Sequence, residues 1–521
     1  MKRQNNKKVT FKEYTMNQQF LLPPSLEELI PASHQVRVIE ATIDRMNIDP
    51  LLKQYKGGGR SNYHPKMMLK VLIYAYSQKI YSSRMIAKAL RENINFMWIS
   101  GNNRPDFRTL NRFRSSTMKN VIEEVFGAIV ELLIEEGYIQ FENYFLDGTK
   151  IEANANKYSW VWAKSTRKNH AKLNEKVHEL LRQIDQINQS EDEEYGDRDL
   201  EELGSQPINA EKLQQKVNEL NEKLASDPRN KPLAKAVKTL QEDYLPRTQK
   251  YEAQEELFDG RNSYSKTDTD ATFMRMKEDH MKNGQLKPGY NVQIGTEGQF
   301  IVGYSIHQKP TDTTCLIPHL EQVNTKLGQL PPNIIADSGY GSEENYEYLQ
   351  NKELGNYVKY NNFQTEHTRK FKKDQFRVEN LPYDEQTDTF TCPAGKRLTY
   401  IKTKKRVTEN GYITERRIYQ AEDCLDCPFK SQCTKSVHNR QIQVSFKLNA
   451  FKKKAWENLH TEQGQKLRSQ RGVEVESVFG RLKNNWSFRR FMLRGIEKVK
   501  IEWGLLSIAH NLTKFATILA P

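Results

Sequence analysis

The sequence is organised around residues 143–155, which read NYFLDGTKIEANA. Residues 143–146 are aromatic and apolar and predict a short buried strand, which the turn-forming pair Asp147 and Gly148 would end. An ionised carboxylate directly after a buried strand is unfavourable unless hydrogen bonds, an ion pair or a metal compensates its charge. Asp147 therefore requires a partner, although a strand-end aspartate taken alone is more often a turn or helix cap than a ligand.

Two later segments offer partners for Asp147. Residues 331–340, PPNIIADSGY, repeat the pattern of a short apolar strand closed by an aspartate, here Asp337. Residues 471–483, RGVEVESVFGRLK, instead predict the start of a helix that carries Glu476. Two strand-end aspartates and one helical glutamate suit a divalent metal, because hard ions such as Mg²⁺ combine a few carboxylates with substrate phosphate oxygens.

Taken together, the three segments resemble the catalytic signature of the DDE transposases of bacterial insertion sequences. The matching residues are Asp147 in YFLDGTKIEANAN, Asp337 in IIADSGYGSEENYEYL and Glu476 in VEVESVFGRLKNNWSFRRFMLRGIEKV. The resemblance implies an α/β fold with an RNase H-like core. It also implies that the three carboxylates bind two Mg²⁺ or Mn²⁺ ions. With these ions, the protein would cleave DNA at the ends of the element and transfer the freed strand into target DNA.

The C-terminal part of this signature matches with one departure. Lys483 stands at the position of the family's lysine, with six residues between it and Glu476. The commonest form of the signature has three residues between an Arg and the Glu, and two residues between a Tyr and that Arg. Here four residues separate Arg471 from Glu476, and Arg468 occupies the Tyr position. The resemblance implies that Lys483 and Arg471 hold DNA phosphates near the metals.

The charge of the chain favours a polyanionic partner. The 521 residues include 80 Lys and Arg against 66 Asp and Glu, a formal net charge of +14. Residues 396–454 contain 15 basic against 5 acidic residues, and residues 471–500 contain 8 against 3. The positive charge is thus concentrated around Glu476, although many soluble proteins are basic without binding nucleic acid.

Neither a membrane span nor a signal peptide is expected. The sequence has no run of 18 apolar residues, and its first residues, MKRQNNKKVT, lack an apolar region after the charges. We expect a cytoplasmic protein.

Residues 1–118 predict an N-terminal helical DNA-binding domain that resembles a helix-turn-helix bundle. Three short helices follow one another in residues 65–116, and the last, FRTLNRFRSS, is expected to expose Arg108, Arg112 and Arg114. A helical bundle without a DNA role fits the pattern equally well. The resemblance favours DNA, with the terminal inverted repeats of the element as the ligand.

Changes of composition divide the rest of the chain. The predicted parts are 119–162, the start of the RNase H-like core; 163–260, a helical coiled-coil-like insertion of two or three helices; 261–365, the core continued; 366–445, a small basic cysteine-rich insertion; and 446–521, the C-terminal helices of the core. The core is expected to contain a hairpin at residues 288–306, and the helical insertion an acidic solvated loop at residues 191–202.

Three further aspartates are assigned supporting roles. Asp312 follows Pro310 and is interpreted as the cap of the next helix rather than as a metal ligand. Asp268 and Asp270 are interpreted as turn residues or as residues that support the metal ligands.

Four of the five cysteines form a cluster in the sequence, as Cys392, Cys424, Cys427 and Cys433. A cytosolic protein is not expected to keep structural disulfides, so such a cluster indicates metal or redox use. Four thiolates suit a tetrahedral structural Zn²⁺ site. The spacing is irregular, however, because Cys424 lies 32 positions after Cys392 and Cys433 six after Cys427. Structural zinc and cysteines that bind no metal are therefore both open.

Three arginines follow the helix of Glu476. Arg489, Arg490 and Arg494 lie within the segment SFRRFMLRG, too many to be all paired internally, so we expect them to bind phosphates.

The expected partner is double-stranded DNA, both the terminal inverted repeats and the target, and a homodimer is expected on DNA. Two other classes of protein stay open. A DNA-binding regulator would explain the charge and the cysteines, but not three positioned carboxylates. A non-mobile nuclease with an RNase H-like core would explain the carboxylates, but not the long C-terminal match.

Overall fold

The computed structural model describes residues 24–47, 49–55, 62–195, 208–226, 228–276 and 286–520, without the side chains of residues 187–195. The expected N-terminal polar tail and most of the acidic loop at residues 191–202 lie outside them. The protein is of the mixed α/β class and divides into two compact units, Met1–Phe113 with Leu512–Pro521, and Arg114–Asn511.

The first unit is helical in its described residues. Its helices are α1 (Gln35–Arg45), α2 (Asp49–Leu52), α3 (Pro65–Ser77), α4 (Ser83–Glu92), α5 (Ile94–Ile99) and α6 (Phe107–Ser115), the last of which ends in the second unit. Eleven of the thirteen residues of α3 are buried, as its apolar sequence predicts. On α6, Arg108 and Arg112 are exposed, but the prediction was wrong for Arg114, which is buried.

The second unit contains the strands of the protein. They are β1 (Asn143–Glu152), β2 (Trp160–Trp162), β3 (Ser263–Ser265), β4 (Thr272–Arg275), β5 (Leu286–Glu297), β6 (Phe300–His307), β7 (Asn333–Ala336), β8 (Gly355–Val358), β9 (Tyr383–Asp384), β10 (Thr389–Thr391), β11 (Arg397–Val407), β12 (Ile413–Ala421) and β13 (Gln441–Val444).

The remaining helices precede β1, lie between the strands or follow β13. They are α7 (Ile122–Glu135), α8 (Ala163–Tyr195), α9 (Ala210–Ser226), α10 (Lys231–Thr239), α11 (Leu245–Phe258), α12 (Leu316–Leu327), α13 (Glu343–Asn351), α14 (Arg369–Lys373), α15 (Lys430–Cys433), α16 (Phe446–His460), α17 (Glu462–Arg471), α18 (Ser477–Gly480) and α19 (Ile496–Leu519). None of the helices in the described part of the chain combines the length and the apolar character that crossing a bilayer requires.

The central sheet is mixed and has β1 in its middle. One edge of β1 pairs antiparallel with β5, whose far edge carries β4 and β6; the other edge pairs parallel with β7, which pairs parallel with β8. The hairpin expected at residues 288–306 is present as β5 and β6. The expectation that Asp147 and Gly148 end the first strand was wrong, because β5 pairs with β1 as far as Glu152.

The register of the parallel strands decides which residues share one edge of the sheet. The last pair between β1 and β7 is Leu146 with Ala336, and the last pair between β7 and β8 is Ala336 with Val358. The residues that follow these positions, Asp147, Asp337 and Lys359, therefore lie at the same edge, where the carboxyl ends of parallel strands meet.

Two further subassemblies interrupt the central sheet in sequence. Four helices, α8 to α11, share one buried core, whereas two or three helices were expected. Strands β9 to β13 form a separate antiparallel sheet, in which β11 and β12 make a long hairpin.

A long helical run carries Glu476. It comprises α17, a π-helical turn at Gly472–Glu476, α18 and a second π-helical turn at Arg481–Asn485. The segment at residues 471–483 thus lies within this run, and the expectation that it begins a helix was wrong.

Candidate active site

One guanidinium contacts all three of the predicted catalytic carboxylates. Nη2 of Arg471 lies 3.2 Å from Oδ1 of Asp147 and 3.7 Å from Oδ2 of Asp337. Nη1 of Arg471 lies 3.8 Å from Oε1 of Glu476. The fold therefore brings three acidic side chains from distant parts of the sequence to one point, at the edge where β1 and β7 diverge.

One side of the cluster is buried and the other is exposed to solvent. The side chains of Asp147 and Arg471 are 9% and 11% exposed, whereas those of Asp337 and Glu476 are 37% and 67% exposed. A buried ion pair thus forms the floor of the site, and the other two carboxylates face the solvent, from which a substrate can approach.

Backbone hydrogen bonds hold the two aspartates. Oδ1 of Asp147 accepts a hydrogen bond of 2.8 Å from the backbone N–H of Gly148. Oδ1 of Asp337 accepts one of 2.8 Å from the N–H of Gly339, because Asp337 caps a short 3-10 turn at Ser338–Tyr340. The other oxygen of Asp337, Oδ2, is the one that faces Arg471.

A π-helical turn accommodates the extra residue between Arg471 and Glu476. In an α-helix, residues five positions apart point about 140° away from each other, since each residue advances the helix by about 100°. A π-helical turn closes over one more residue, so that positions i and i+5 return to the same face. The turn at Gly472–Glu476 lies between the two side chains and allows them to meet.

Lys483 reaches the same face of β1 as Asp147. Its side chain is buried, and Nζ donates a hydrogen bond of 2.8 Å to Oγ1 of Thr149. Because Asp147 and Thr149 are two residues apart on one strand, they share a face of the sheet. Lys483 is therefore adjacent to the carboxylate cluster.

Lys359 is a basic residue of the site that sequence reasoning missed. It directly follows β8 and is half-buried, and its backbone N–H donates to the carbonyl of Ala336. Burial lowers the pKa of Lys359, and the positive charges of Arg471 and Arg468 lower it further. The available signal was the sequence GNYVK, in which a charged residue directly follows a short strand, as Asp337 follows β7.

Asp312 also belongs to this region and does not cap a helix. The N-cap of α12 is Cys315, without a side-chain capping bond. Oδ1 of Asp312 instead accepts hydrogen bonds from the amides of Asn291, at 2.8 Å, and Gln293, at 2.9 Å. The assignment of Asp312 as a helix cap was therefore wrong.

Two family models match the chain, one near each end. Residues 24–116 match the model of a transposase domain (DUF772), and residues 391–516, which include Arg471, Glu476 and Lys483, match the model of a transposase DDE domain. Both matches are to transposase families, and they support a DDE transposase of an insertion sequence. A comparison with curated proteins gave no match.

The side chains of the transposase fit a hard divalent cation chemically, but not in their present arrangement. Three carboxylates converge, and Nε of Arg471 is buried without a hydrogen-bond partner among the described residues. Within that part of the chain, however, no group of three or more His, Cys, Asp or Glu side chains is placed to hold a metal ion. The three carboxylates surround the guanidinium of Arg471 instead.

The C-terminal arginines of the transposase are exposed but internally bonded, so the expectation that some lack internal partners was wrong. Arg489 donates to the carbonyl of Lys483 and to the side chain of Asn484. Arg490 donates to the carbonyls of residues 153 and 155, and Arg494 to that of residue 154. These bonds fix the loop against the end of β1 and still leave the charges at the surface.

Two other aspartates accept hydrogen bonds from the turn before the last helix. Asp268 accepts hydrogen bonds from the hydroxyl of Tyr290 and the N–H of Gly495, and Asp270 accepts one from the N–H of Ile496. Of the two roles left open, these bonds assign them to the anchoring of a turn.

The hairpin of β11 and β12 carries exposed basic side chains. Lys402 and Lys404 are exposed and share one face of β11, and Lys404 lies directly opposite Arg416 on β12. Like charges opposite each other destabilise a hairpin, so an anion on this face would be favourable.

The four clustered cysteines of the transposase line one small cavity as free thiols. The backbone N–H of Arg440 donates to Sγ of Cys424, and its guanidinium to Sγ of Cys433 at 3.0 Å. No metal-binding arrangement of these cysteines is present in the described residues.

Proposed function

We propose that this transposase cleaves DNA at the ends of an insertion sequence and joins the freed 3′ ends to target DNA, at a two-metal site formed by Asp147, Asp337 and Glu476. The observation that carries the proposal is the contact of all three carboxylates with the guanidinium of Arg471. A cation already occupies the point on which they converge.

The topology supports an RNase H-like core. Three antiparallel strands, β1, β5 and β6, are followed by α12 and then by the parallel strand β7. This is the order β-β-β, helix, β that the resemblance implies, with one acidic residue on the first strand and another directly after the fourth.

Each residue of the site has a distinct role in the proposed reaction. When bound, two Mg²⁺ or Mn²⁺ ions would supply the charge that activates water or a 3′-hydroxyl for attack and stabilises the leaving oxygen. Asp147 and Asp337 provide fixed carboxylates on the sheet, and Glu476 provides an exposed third carboxylate on a helix. Arg471 has to leave the carboxylates before they can close around ions, and its unpartnered Nε is then available to a DNA phosphate.

The positive side chains around the carboxylates would hold the DNA. Lys483 and Lys359 flank the site and would bind the phosphates next to the cleaved bond. Arg489, Arg490, Arg494 and the basic face of the hairpin would contact the DNA backbone further away. Arg108 and Arg112 of the first unit would contact the terminal repeats, and two protomers would pair on DNA; these roles stay predictions, as does zinc at the cysteines.

The proposal is tested with a plasmid that carries the DNA flanking the coding region. We expect the full-length protein with Mg²⁺ to cut this plasmid and to join a labelled end to a second plasmid. The variants Asp147→Asn, Asp337→Asn and Glu476→Gln should lose both steps while they still bind the DNA.

Glu474→Gln is the matched control, because Glu474 lies in the same π-helical turn but accepts a hydrogen bond from the backbone N–H of Gln299. We expect this variant to keep both steps. A nuclease would cut without joining, and a regulator would do neither. Cleavage by Asp147→Asn in Mg²⁺ would contradict the metal site itself.

A further inference from the structure

Asp312 lies near the backbone that follows each catalytic aspartate, at Gly148 within β1 and at Gly339 in the turn after Asp337. A Cβ atom at Gly148, next to Asp147, would lie 2.6 Å from Oδ1 of Asp312. A Cβ atom at Gly339, two residues after Asp337, would lie 3.8 Å from Oδ2 of Asp312. The carboxylate of Asp312 thus lies close to β1 and to the turn after Asp337, and at Gly148 only a glycine leaves it room.

A pair of fully buried amides fixes this carboxylate. Asn291 and Gln293 are two residues apart on β5, so both point to the face of the sheet that carries Asp312. Both donate to the same oxygen, Oδ1, and Gln293 also donates to Oδ1 of Asn291 at 3.1 Å. Two donors on one oxygen determine the orientation of the carboxylate.

The same network extends to the turn after Asp337. The hydroxyl of Tyr340 donates to Oε1 of Gln293, and the hydroxyl of Thr313 donates to the carbonyl of Gly339 at 2.7 Å. The amide of Asn345 bridges the carbonyls of Thr313 and Tyr340, at 2.8 Å and 2.7 Å. The segment of Asp312 is therefore tied by hydrogen bonds both to β5 and to the turn that follows Asp337.

A second observation places Asp312 within the electrostatic field of the site. Burial raises the pKa of the Tyr340 hydroxyl, and the negative charges of Asp312, Asp147 and Asp337 raise it further. The charge of Asp312 thus acts on the same buried hydroxyl as the charges of the two catalytic aspartates.

We propose that Asp312 is a positioning residue of the metal site, which holds β1 at Asp147 and the turn after Asp337 at the separation that lets the two carboxylates close around ions. The inference rests on the proposed function, since it concerns the same metal site. Asp312 acts through the hydrogen bonds of Oδ1 and the contacts with the two glycines, and it does not itself bind the ions. Residues that orient metal ligands typically change metal affinity about 10–100-fold when they are removed.

The test is an electron paramagnetic resonance titration of the full-length protein with Mn²⁺, without DNA. We expect Asp312→Ala to weaken Mn²⁺ binding about 10–100-fold. Asp312→Asn keeps an acceptor oxygen for the two amides and removes the charge, so we expect it to restore binding to within about threefold of the wild type. DNA binding and the melting temperature without metal show whether each variant is folded.

Each result has a defined meaning. Unchanged Mn²⁺ affinity in folded Asp312→Ala would overturn the inference, and equal loss in Asp312→Ala and Asp312→Asn would assign Asp312 as a ligand instead. If Asp312→Ala does not fold, Asn291→Ala removes one of the two donors and should weaken binding in the same direction; no change there would also overturn the inference. Asp147→Asn is measured in parallel, and Mn²⁺ binding equal to the wild type in that variant would overturn the proposed function as well.

Discussion

Replacing Arg471 with glutamine should tighten metal binding while it weakens catalysis. In the wild type, the carboxylates can take up ions only after the guanidinium has left them, and without DNA it then loses its three partners. In Arg471→Gln the ions do not have to displace a guanidinium from the carboxylates. The variant also lacks the cation that we assign to a DNA phosphate, so cleavage should fall although the ions bind more tightly.

The size of this effect follows from the three contacts. The contact of Arg471 with Asp147 is nearly buried, and hydrogen bonds to charged groups contribute about 1.5–3 kcal/mol. The contacts with Asp337 and Glu476 are longer and more exposed, and exposed ion pairs contribute about 0.2–1 kcal/mol each. The total is roughly 2–5 kcal/mol, and at about 1.4 kcal/mol per factor of ten this predicts Mn²⁺ binding tighter by roughly 30-fold or more.

The assay is the same Mn²⁺ titration without DNA, accompanied by cleavage of the flanking-DNA plasmid. Arg468→Gln is the control, because it makes the same charge change one helical turn earlier, where the guanidinium lies over the ring of Phe363 at 5.4 Å. We expect the control to change Mn²⁺ affinity by less than about threefold, because this guanidinium is held over the Phe363 ring rather than among the carboxylates, and salt screens charges away from the cluster. Equal or weaker Mn²⁺ binding in Arg471→Gln would refute the reasoning.

Three other predictions concern the sheet, the pH dependence and the DNA. Gly148→Ala should lower the free energy of unfolding by about 1–3 kcal/mol in a denaturant titration, because its Cβ would lie 2.2 Å from the amide nitrogen of a neighbouring glutamine. Gly127→Ala is the control, because its Cβ, on a helix, would meet no atom of the other described elements within 4 Å. This variant should raise the free energy of unfolding or leave it unchanged. Burial lowers the pKa of His307 to about 4 in the folded protein, so the unfolded chain binds the extra proton between the ordinary pKa of 6.5 and about 4. The free energy of unfolding should therefore fall as the pH is lowered through this window, and His307→Asn should make the fall shallower; an unchanged slope would contradict the assignment. Replacing both Lys402 and Lys404 with glutamine should weaken DNA binding equally for all sequences and reduce the slope of log affinity against log salt by about 0.9 for each lost phosphate contact, and a salt slope equal to that of the wild type would exclude the hairpin from the DNA interface.

The sequence predicted the parts of the site that depend on local patterns. A short apolar run followed by an acidic residue marked Asp147 and Asp337, because the buried residues before each aspartate leave the same local signature at both places. It could not show that Lys359 ends a third strand of the same kind, since the pairing of β7 with β8 is not a local property.

Other features depended on long-range packing that no local pattern reports. The extra residue between Arg471 and Glu476 weakened the match to the family signature, and only the π-helical turn shows that both side chains still meet. Asp312 follows a proline before a helix, which is the pattern of a cap, and only the placement of β5 beneath it reveals its amide partners. Arg114 was expected on the surface because of its charge, whereas its position on α6 buries it.

The central claim is that Asp147, Asp337 and Glu476 share the same cations, and cleavage of the protein by bound iron tests it most directly. Fe²⁺ replaces Mg²⁺ in such oxygen-ligand sites, and with ascorbate and peroxide it cuts the polypeptide next to the ion. We predict cuts near all three residues, mapped by mass spectrometry. Excess Mg²⁺ should suppress these cuts, and Asp147→Asn should abolish the cuts at all three positions at once. Cuts near only one of the three residues, or cuts that survive in Asp147→Asn, would contradict the claim.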